Sequence, residues 1–477
     1  MKRKKLMSVL LAGAMVLGMT ACGGSDGGAS QSGGGDSTGA AETGSDESGA
    51  ASSSSSGGEK LVVWTLAKDL EQFAEHYMEE NQGVQIETVV IEPANYVTKV
   101  QTALNGGQKE PDIFVGEPQM LEDFYDAGYF EDLNQAPYNA QDYADQIVDY
   151  VWAVGQDAEG IQRAISYQIT PAGIYYRRDI AETVFGTDDP DEIGKLFKDY
   201  ATILDTAKTL KGAGYRIFAS DAEINYFSGD SAWVIDDVLN VDQGRQAYMD
   251  LCVSLYQEDL TAYANQWSTP WYQAMAGEVP ILTADIQNYA DDSVDVWDAE
   301  GFAEATADMD KTEVFAFGLP SWGVLTIRDN ALETSGKWGV CSGPAYGFGG
   351  GTFIGISSQS EKKEQAWDFL KFCTLNEDTA NWWIEASEGD TVSLIPVLEA
   401  HADDKNTVYG GEQLYQFWLK QAEGIDYSKV TRYDKAIGDA WQSAINAIKT
   451  EEKSKEDAIN EFYDVIESTY PEITVNR

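Results

Sequence analysis

Carboxylates, amides and flat aromatic rings placed where strands run out are the side chains that could hold a hydroxyl-rich ligand, and this chain has them at several such points. Between Ala164 and Asp179 two short apolar runs, Ile165 to Ile169 and Ile174 to Tyr176, flank Thr170-Pro171-Ala172-Gly173. The pattern reads as strand, bend, strand. Tyr167 would offer a stacking face with a hydroxyl handle, and Gln168 two donors and an acceptor. Taken alone, the stretch fits a buried strand pair with one satisfied polar group equally well. Glu117, just past the run from Pro111 to Gly116, could accept paired hydrogen bonds from vicinal hydroxyls, or sit as an acid favoured by a helix N-terminus.

Further candidates are Lys68 after the run Leu61 to Leu66, Asp285 at the end of the run from Val279, and the rings of Trp233, Trp271, Phe348 and Phe353. Trp271 stands beside Pro270 in a segment without helical period, where a ring is better placed to stack than on a helical stripe. A glycoside hydrolase would need two carboxyls about 5 to 9 Å apart, and Glu117 with Asp285 is the pair to test. The chain has only two histidines, His76 and His401, and no nucleophile elbow, so catalytic triad and metal chemistry have little to work with. No catalytic residue, metal site or cofactor is expected.

The elements that must position these groups begin with Leu61 to Leu66, a continuous apolar run typical of a parallel strand buried on both faces. A helix follows to about Glu80, with Asp69 as its N-cap and Leu70, Phe73, Ala74 and Tyr77 on one face. Val84 to Ile91 then returns as a strand, completing a βαβ unit. A helix from Tyr96 to Leu104 leads to the strand before Glu117. In open parallel sheets ligands bind beyond the carboxyl ends of the strands, which is where Lys68 and Glu117 fall. A helix and loop broken at Ala127-Gly128 is expected at 121–133, helices at 142–151, 193–210 and 361–375 and through the C-terminal part, with Asp291 to Lys311 an acidic surface excursion. Gly349-Gly350-Gly351 lacks the P-loop signature and reads as a tight turn, with Phe348 and Phe353 on either side.

At 477 residues the chain can build two or three domains' worth of core, and a net charge of −48 argues against nucleic acid or an anionic membrane surface as a partner. Residues 1–21 form a targeting signal: Lys2-Arg3-Lys4-Lys5, then an apolar run from Leu6 to Met19 too short to span a bilayer. Met19-Thr20-Ala21-Cys22 places small residues before a cysteine, as in a lipoprotein signal in which Cys22 is lipidated; an ordinary signal peptide cleaved after Ala21 is the alternative. Residues 22–58 are almost wholly Gly, Ser, Ala, Asp, Glu and Thr and form a flexible tether. Cys252, Cys341 and Cys373 read as small core residues.

The ordered set of these segments resembles the family 1 extracellular solute-binding proteins, the lipoprotein receptors of carbohydrate ABC importers. The matching landmarks are Met19-Thr20-Ala21-Cys22, Leu61 to Thr65, Pro111-Asp112-Ile113, Ala127 to Leu133, Pro171 to Asp179, Trp338-Gly339-Val340 with the glycines to Ile356, and Trp367 to Phe372. The resemblance implies an α/β, type II two-lobed binding-protein fold with a ligand cleft between the lobes. It implies a first lobe of 59–135 plus 350–390 and a second of 136–349 plus 391–477. It further implies a monomer, anchored by a lipid outside the cytoplasm, that delivers a carbohydrate to ABC permease subunits. Where relatives often carry Pro-Trp-Asp before the bend this chain has Ser166-Tyr167-Gln168, and Phe353 stands where Trp is usual. A polyamine, a peptide or a phosphorylated polyol is the alternative ligand; net acidity would favour the first, and a phosphate would want Lys68 or an arginine in the cleft.

Overall fold

The computed structural model describes residues 60–229, 231–282 and 295–477. The targeting signal, Cys22, the tether and Asp285 lie outside the described residues. Two five-membered sheet systems organise the rest. The first has the order β2-β1-β3-β12-β4, built from Ile86–Val90, Leu61–Thr65, Ile113–Gly116, Phe353–Ile356 and Ala164–Ser166. The second has the order β11-β5-β10-β6, built from Trp338–Cys341, Ala172–Arg177, Lys311–Pro320 and Arg216–Phe218, with β9 (Glu278–Pro280) paired to β10. A small hairpin of β7 (Val234–Ile235) and β8 (Val238–Leu239) stands apart from both.

The opening βαβ unit forms as its pattern requires. β1 pairs in parallel with β2 and β3, and the helix α1 (Asp69–Glu80) buries Leu70, Phe73 and Ala74. Lys68, not Asp69, is the N-cap residue, and Asp69 opens the first turn. α2 (Pro93–Asn105) and α3 (Pro118–Asp126) both start on a proline, whose fixed φ suits a first helical position.

Two features of the sheets go beyond the sequence reading. First, beyond Gln135, residues 140–154 pack in the core of the first sheet and β4 pairs with β12 at its edge. β4 supplies the edge partner that β12 would otherwise lack. Second, the acidic excursion ends in β10, a ten-residue strand buried over most of its length and the centre of the second sheet. Its apolar run from Val314 to Leu319 carries that signal in the sequence.

The cores are not one per lobe. One runs from the first sheet through the crossing segments onto one face of the second sheet, where Tyr175, Phe317 and Trp418 meet. The other fills the opposite face of the second sheet against the helices Tyr200–Gly212, Gln243–Gln257, Asp434–Lys449 and Lys455–Thr469. No helix among the described residues is long and apolar enough to cross a membrane.

Candidate functional site

Strand register fixes where the two lobes face one another. Across the first sheet Gly116, Phe353 and Ser166 stand level, since Phe353 pairs with both of the others. Across the second, Pro320 pairs with Ala172. The chain crosses between these edges at 167–171 and 342–352, and the two crossings are stitched by a bridge between Pro171 and Phe348 and by Ala172 N–H donating to the Gly347 carbonyl (2.8 Å). A third crossing runs alongside: Thr391 Oγ1 donates to the Ile169 carbonyl (2.6 Å) and Ser393 N–H to that of Tyr167 (2.8 Å). These crossings form the floor of a cleft whose walls are the two sheet edges.

On the first lobe's wall, Glu117 follows β3 and is the N-cap residue of α3, yet its side chain makes no cap hydrogen bond. It is half-buried, accepts from the Gln119 amide, and burial holds its pKa above the ordinary value. β1 and β3 run parallel side by side, with Val63 opposite Ile113 and Trp64 opposite Phe114, and Asp69 opens α1 just past the end of β1. Burial raises the Asp69 pKa too, opposed by the Tyr167 hydroxyl, which donates to Asp69 Oδ2 at 2.7 Å. Lys68 is exposed and makes no ion pair among the described residues.

On the second lobe's wall, rings stand in series. Trp322 follows β10 and donates through Nε1 to the Gly349 carbonyl (3.1 Å). Trp267 stacks on Trp322 (centroids 5.6 Å apart, planes at 26°), and Tyr226 meets Trp322 edge-on. All three are half-buried. Trp267 has φ +71°, a left-handed backbone that costs a bulky residue about 1 to 3 kcal/mol and persists only where surrounding contacts impose it. Behind it, Trp271 tilts against Trp267 at 5.2 Å and donates through Nε1 to Glu223 (3.1 and 3.2 Å). Glu223 is 4% exposed, and burial pushes its pKa to about 8, so at neutral pH it is mainly the uncharged acid. Phe348 packs its ring on Tyr150 (5.2 Å) at the floor.

Several sequence candidates lie elsewhere. Tyr167 is buried between Phe73 (4.9 Å) and Trp383 (5.7 Å), so its faces are taken and its hydroxyl serves Asp69. Trp233 lies in the second core, against Trp441 and Phe462, with the Arg245 guanidinium 3.8 Å from its ring centroid. Trp271 sits in the helix Thr269–Ala276 rather than in a loop, fully buried. Phe353 is buried at the first position of β12. Gln168 lies on the first crossing, 8% exposed, with its backbone N–H donating to Ser166 Oγ (3.3 Å). Of the sequence candidates, Lys68, Glu117, Gln168 and Phe348 thus lie just past strand ends or on the crossings, and the structure adds Tyr226, Trp267 and Trp322 as a series of half-buried rings. Asn265-Gln266-Trp267, an aromatic among amides in a segment without period, was the available signal for the second of these. Among the described residues no group of three or more His, Cys, Asp or Glu is placed to hold a metal ion.

Residues 72–409 match the family described as bacterial extracellular solute-binding protein. No curated protein matches the chain. Among solved structures, an extracellular solute-binding protein of family 1 is 18% identical, with TM-score 0.66, over 84% of this chain and 97% of its own. The ABC transporter associated binding protein of B. animalis subsp. lactis, in complex with β-1,6-galactobiose, is 16% identical, with TM-score 0.63, over 88% and 99%. The GacH receptor of Streptomyces glaucescens, solved unliganded and with acarbose, is 15% identical, with TM-score 0.62, over 87% and 99%. The fold is therefore the two-lobed α/β architecture of those proteins.

Proposed function

The chain belongs to the bacterial extracellular solute-binding protein family, and on that premise we propose that it captures a sugar or oligosaccharide between its lobes and delivers it to the permease of an ABC importer. The observation that carries the ligand class is the half-exposed run Tyr226, Trp322 and Trp267 along one wall of the cleft, with Glu117 and Gln168 across from it. Flat rings stack on the apolar faces of a pyranose, while a carboxylate and an amide take its hydroxyls. The sugar complexes of the Bifidobacterium and Streptomyces relatives support the same class.

Capture works by differential affinity. A ligand resting on the second lobe's rings gains the contacts with Glu117 and Asp69 only when the first lobe swings over it, and the closed population rises by that difference. The closed form is what the permease binds. The chain binds its ligand without turning it over, is anchored outside the cytoplasm through a lipid on Cys22, and reaches its permease on the tether 22–58. The test is a thermal-shift screen of the body from residue 59 against mono- and oligosaccharides, polyamines and peptides, because a ligand specific to the folded state raises the melting temperature by mass action. A shift with sugars is expected. A shift with peptides or polyamines alone sinks the carbohydrate reading, and hydrolysis of a glycoside sinks the transport reading.

A further inference from the structure

Buried indoles are held in different ways in this protein. Trp338 donates to the Thr334 hydroxyl (2.9 Å), while Trp418 and Trp441 each bury an Nε1 without a partner among the described residues. An acceptor is therefore no condition for burying a tryptophan here, and a neutral hydroxyl serves where one is supplied. Trp271 instead donates to both oxygens of Glu223, an acid withdrawn from water with no ion pair among the described residues. Burying an unpaired acid is costly, and satisfying one N–H does not account for it.

The contacts around the pair show what the acid secures. A three-centre bond to both oxygens fixes the plane of the Trp271 ring, which a single acceptor leaves free to tilt. Phe317 of β10 meets that ring edge-on at 5.8 Å, and Trp267 leans on it at 5.2 Å. Trp267 keeps its left-handed backbone only while its neighbours impose it, and a Trp271 that tilts away frees it to relax and leave Trp322. The turn that carries Glu223 also carries Tyr226, whose ring meets Trp322 and whose hydroxyl is hydrogen-bonded by Gln266, the residue before Trp267. Glu223, Trp271, Trp267, Gln266 and Tyr226 thus close a loop of contacts, with Trp322 against two of its members. Glu223 itself faces the indole, the Ser220 hydroxyl (3.4 Å) and the Tyr226 hydroxyl, which feels its charge; the adjacent Asp221 takes up Lys449.

We propose that Glu223 is a positioning residue of the sugar-binding wall: without touching the ligand, it holds Trp267 against Trp322 by way of Trp271, and affinity for a sugar depends on it. This rests on the carbohydrate reading and adds the group that sets the rings. Two stacked indoles give a far-ultraviolet exciton couplet, assigned here as the signal that Trp267→Phe removes. The couplet is followed between about pH 6 and pH 10 in the wild type, Glu223→Gln and Glu223→Leu, alongside calorimetric titration with β-1,6-galactobiose and acarbose, the sugars of the relatives' complexes. Glu223→Leu should lose the couplet and bind whichever sugar the wild type takes at least about tenfold more weakly, whereas Glu223→Gln, which keeps an acceptor, should retain both. An ionised Glu223 is drawn from the indole toward water, so the wild-type couplet and affinity should fall as pH rises through about 8, and those of Glu223→Gln should not. A couplet that survives in Glu223→Leu, or one lost with affinity unchanged, overturns the proposal. If Glu223→Leu does not fold, a wild-type couplet that stays flat with pH, or falls equally in Glu223→Gln, overturns it. If neither sugar binds the wild type, the carbohydrate reading falls, and the couplet alone decides whether Glu223 sets the rings.

Discussion

Trp233 and Trp267 carry the same indole and occupy opposite surroundings. Trp233 is closed in by Arg245, Trp441 and Phe462, so Trp233→Ala removes a core ring and should cost about 3 to 5 kcal/mol of stability by denaturant unfolding. Trp267 is held half-exposed on a left-handed backbone against Trp322. Trp267→Ala should weaken ligand binding by about tenfold or more in a fluorescence titration, with a smaller change in melting temperature. Glu223 belongs to the same scale. Its folded pKa is raised from 4.5 to about 8, so the proton it holds in the folded state stabilises fully below the unfolded value, and that contribution is lost as pH rises toward 8. Asp390 and Glu412, raised to about 7, act in the same direction. The melting temperature should fall between about pH 5 and pH 8, and Glu223→Gln, which keeps an acceptor for Trp271, should flatten that slope; an unchanged slope would count against a protonated Glu223. What the residue types disclosed was chemistry rather than placement: Tyr167 has a ring and a hydroxyl as read, but Phe73 and Trp383 consume the ring.

At the scale of elements, the cleft exists because each crossing leaves one sheet edge and enters the other at matched register. The second crossing passes so close to the turn around Tyr226 that a Cβ on Gly347 would lie 2.0 Å from the Tyr226 carbonyl oxygen, and one on Gly349 2.2 Å from the Tyr226 ring. Gly347→Ala must therefore push the turn Asn225–Phe227 away from the crossing. It should lower both the melting temperature and ligand affinity, whereas Gly212→Ala, with open space at its Cβ, should do neither. The βαβ opening was legible because its apolar periods are clean and local. The run from Ile165 was legible as a strand, but not that it stops at Ser166 or that its partner is β12, nearly two hundred positions later; and β10 was obscured by the acidic stretch before it.

At the scale of the whole molecule, the lobes are joined outside the crossings by Arg432, on the second lobe's side, which donates to Glu122 of α3 through its backbone N–H (2.7 Å), Nε (2.8 Å) and Nη2 (2.7 Å) and also pairs with Asp126. The groups are partly solvated, so Arg432→Ala should cost under about 1 kcal/mol, and the loss should vanish in 1 M salt; a larger loss that persists in salt would mean the clasp carries packing as well as charge. Cys22→Ala should move the protein from the membrane fraction to the medium, and retention on the membrane would remove the lipid from the account. By itself the sequence determined the opening βαβ unit, the tight glycine turns and the sign of the charge, which are local or additive properties, while the two-lobed α/β class came from the resemblance of its ordered landmarks to the family. Only the tertiary structure decided which rings are free and which acids lack a cation, because exposure and pairing depend on what packs against a side chain from distant parts of the chain.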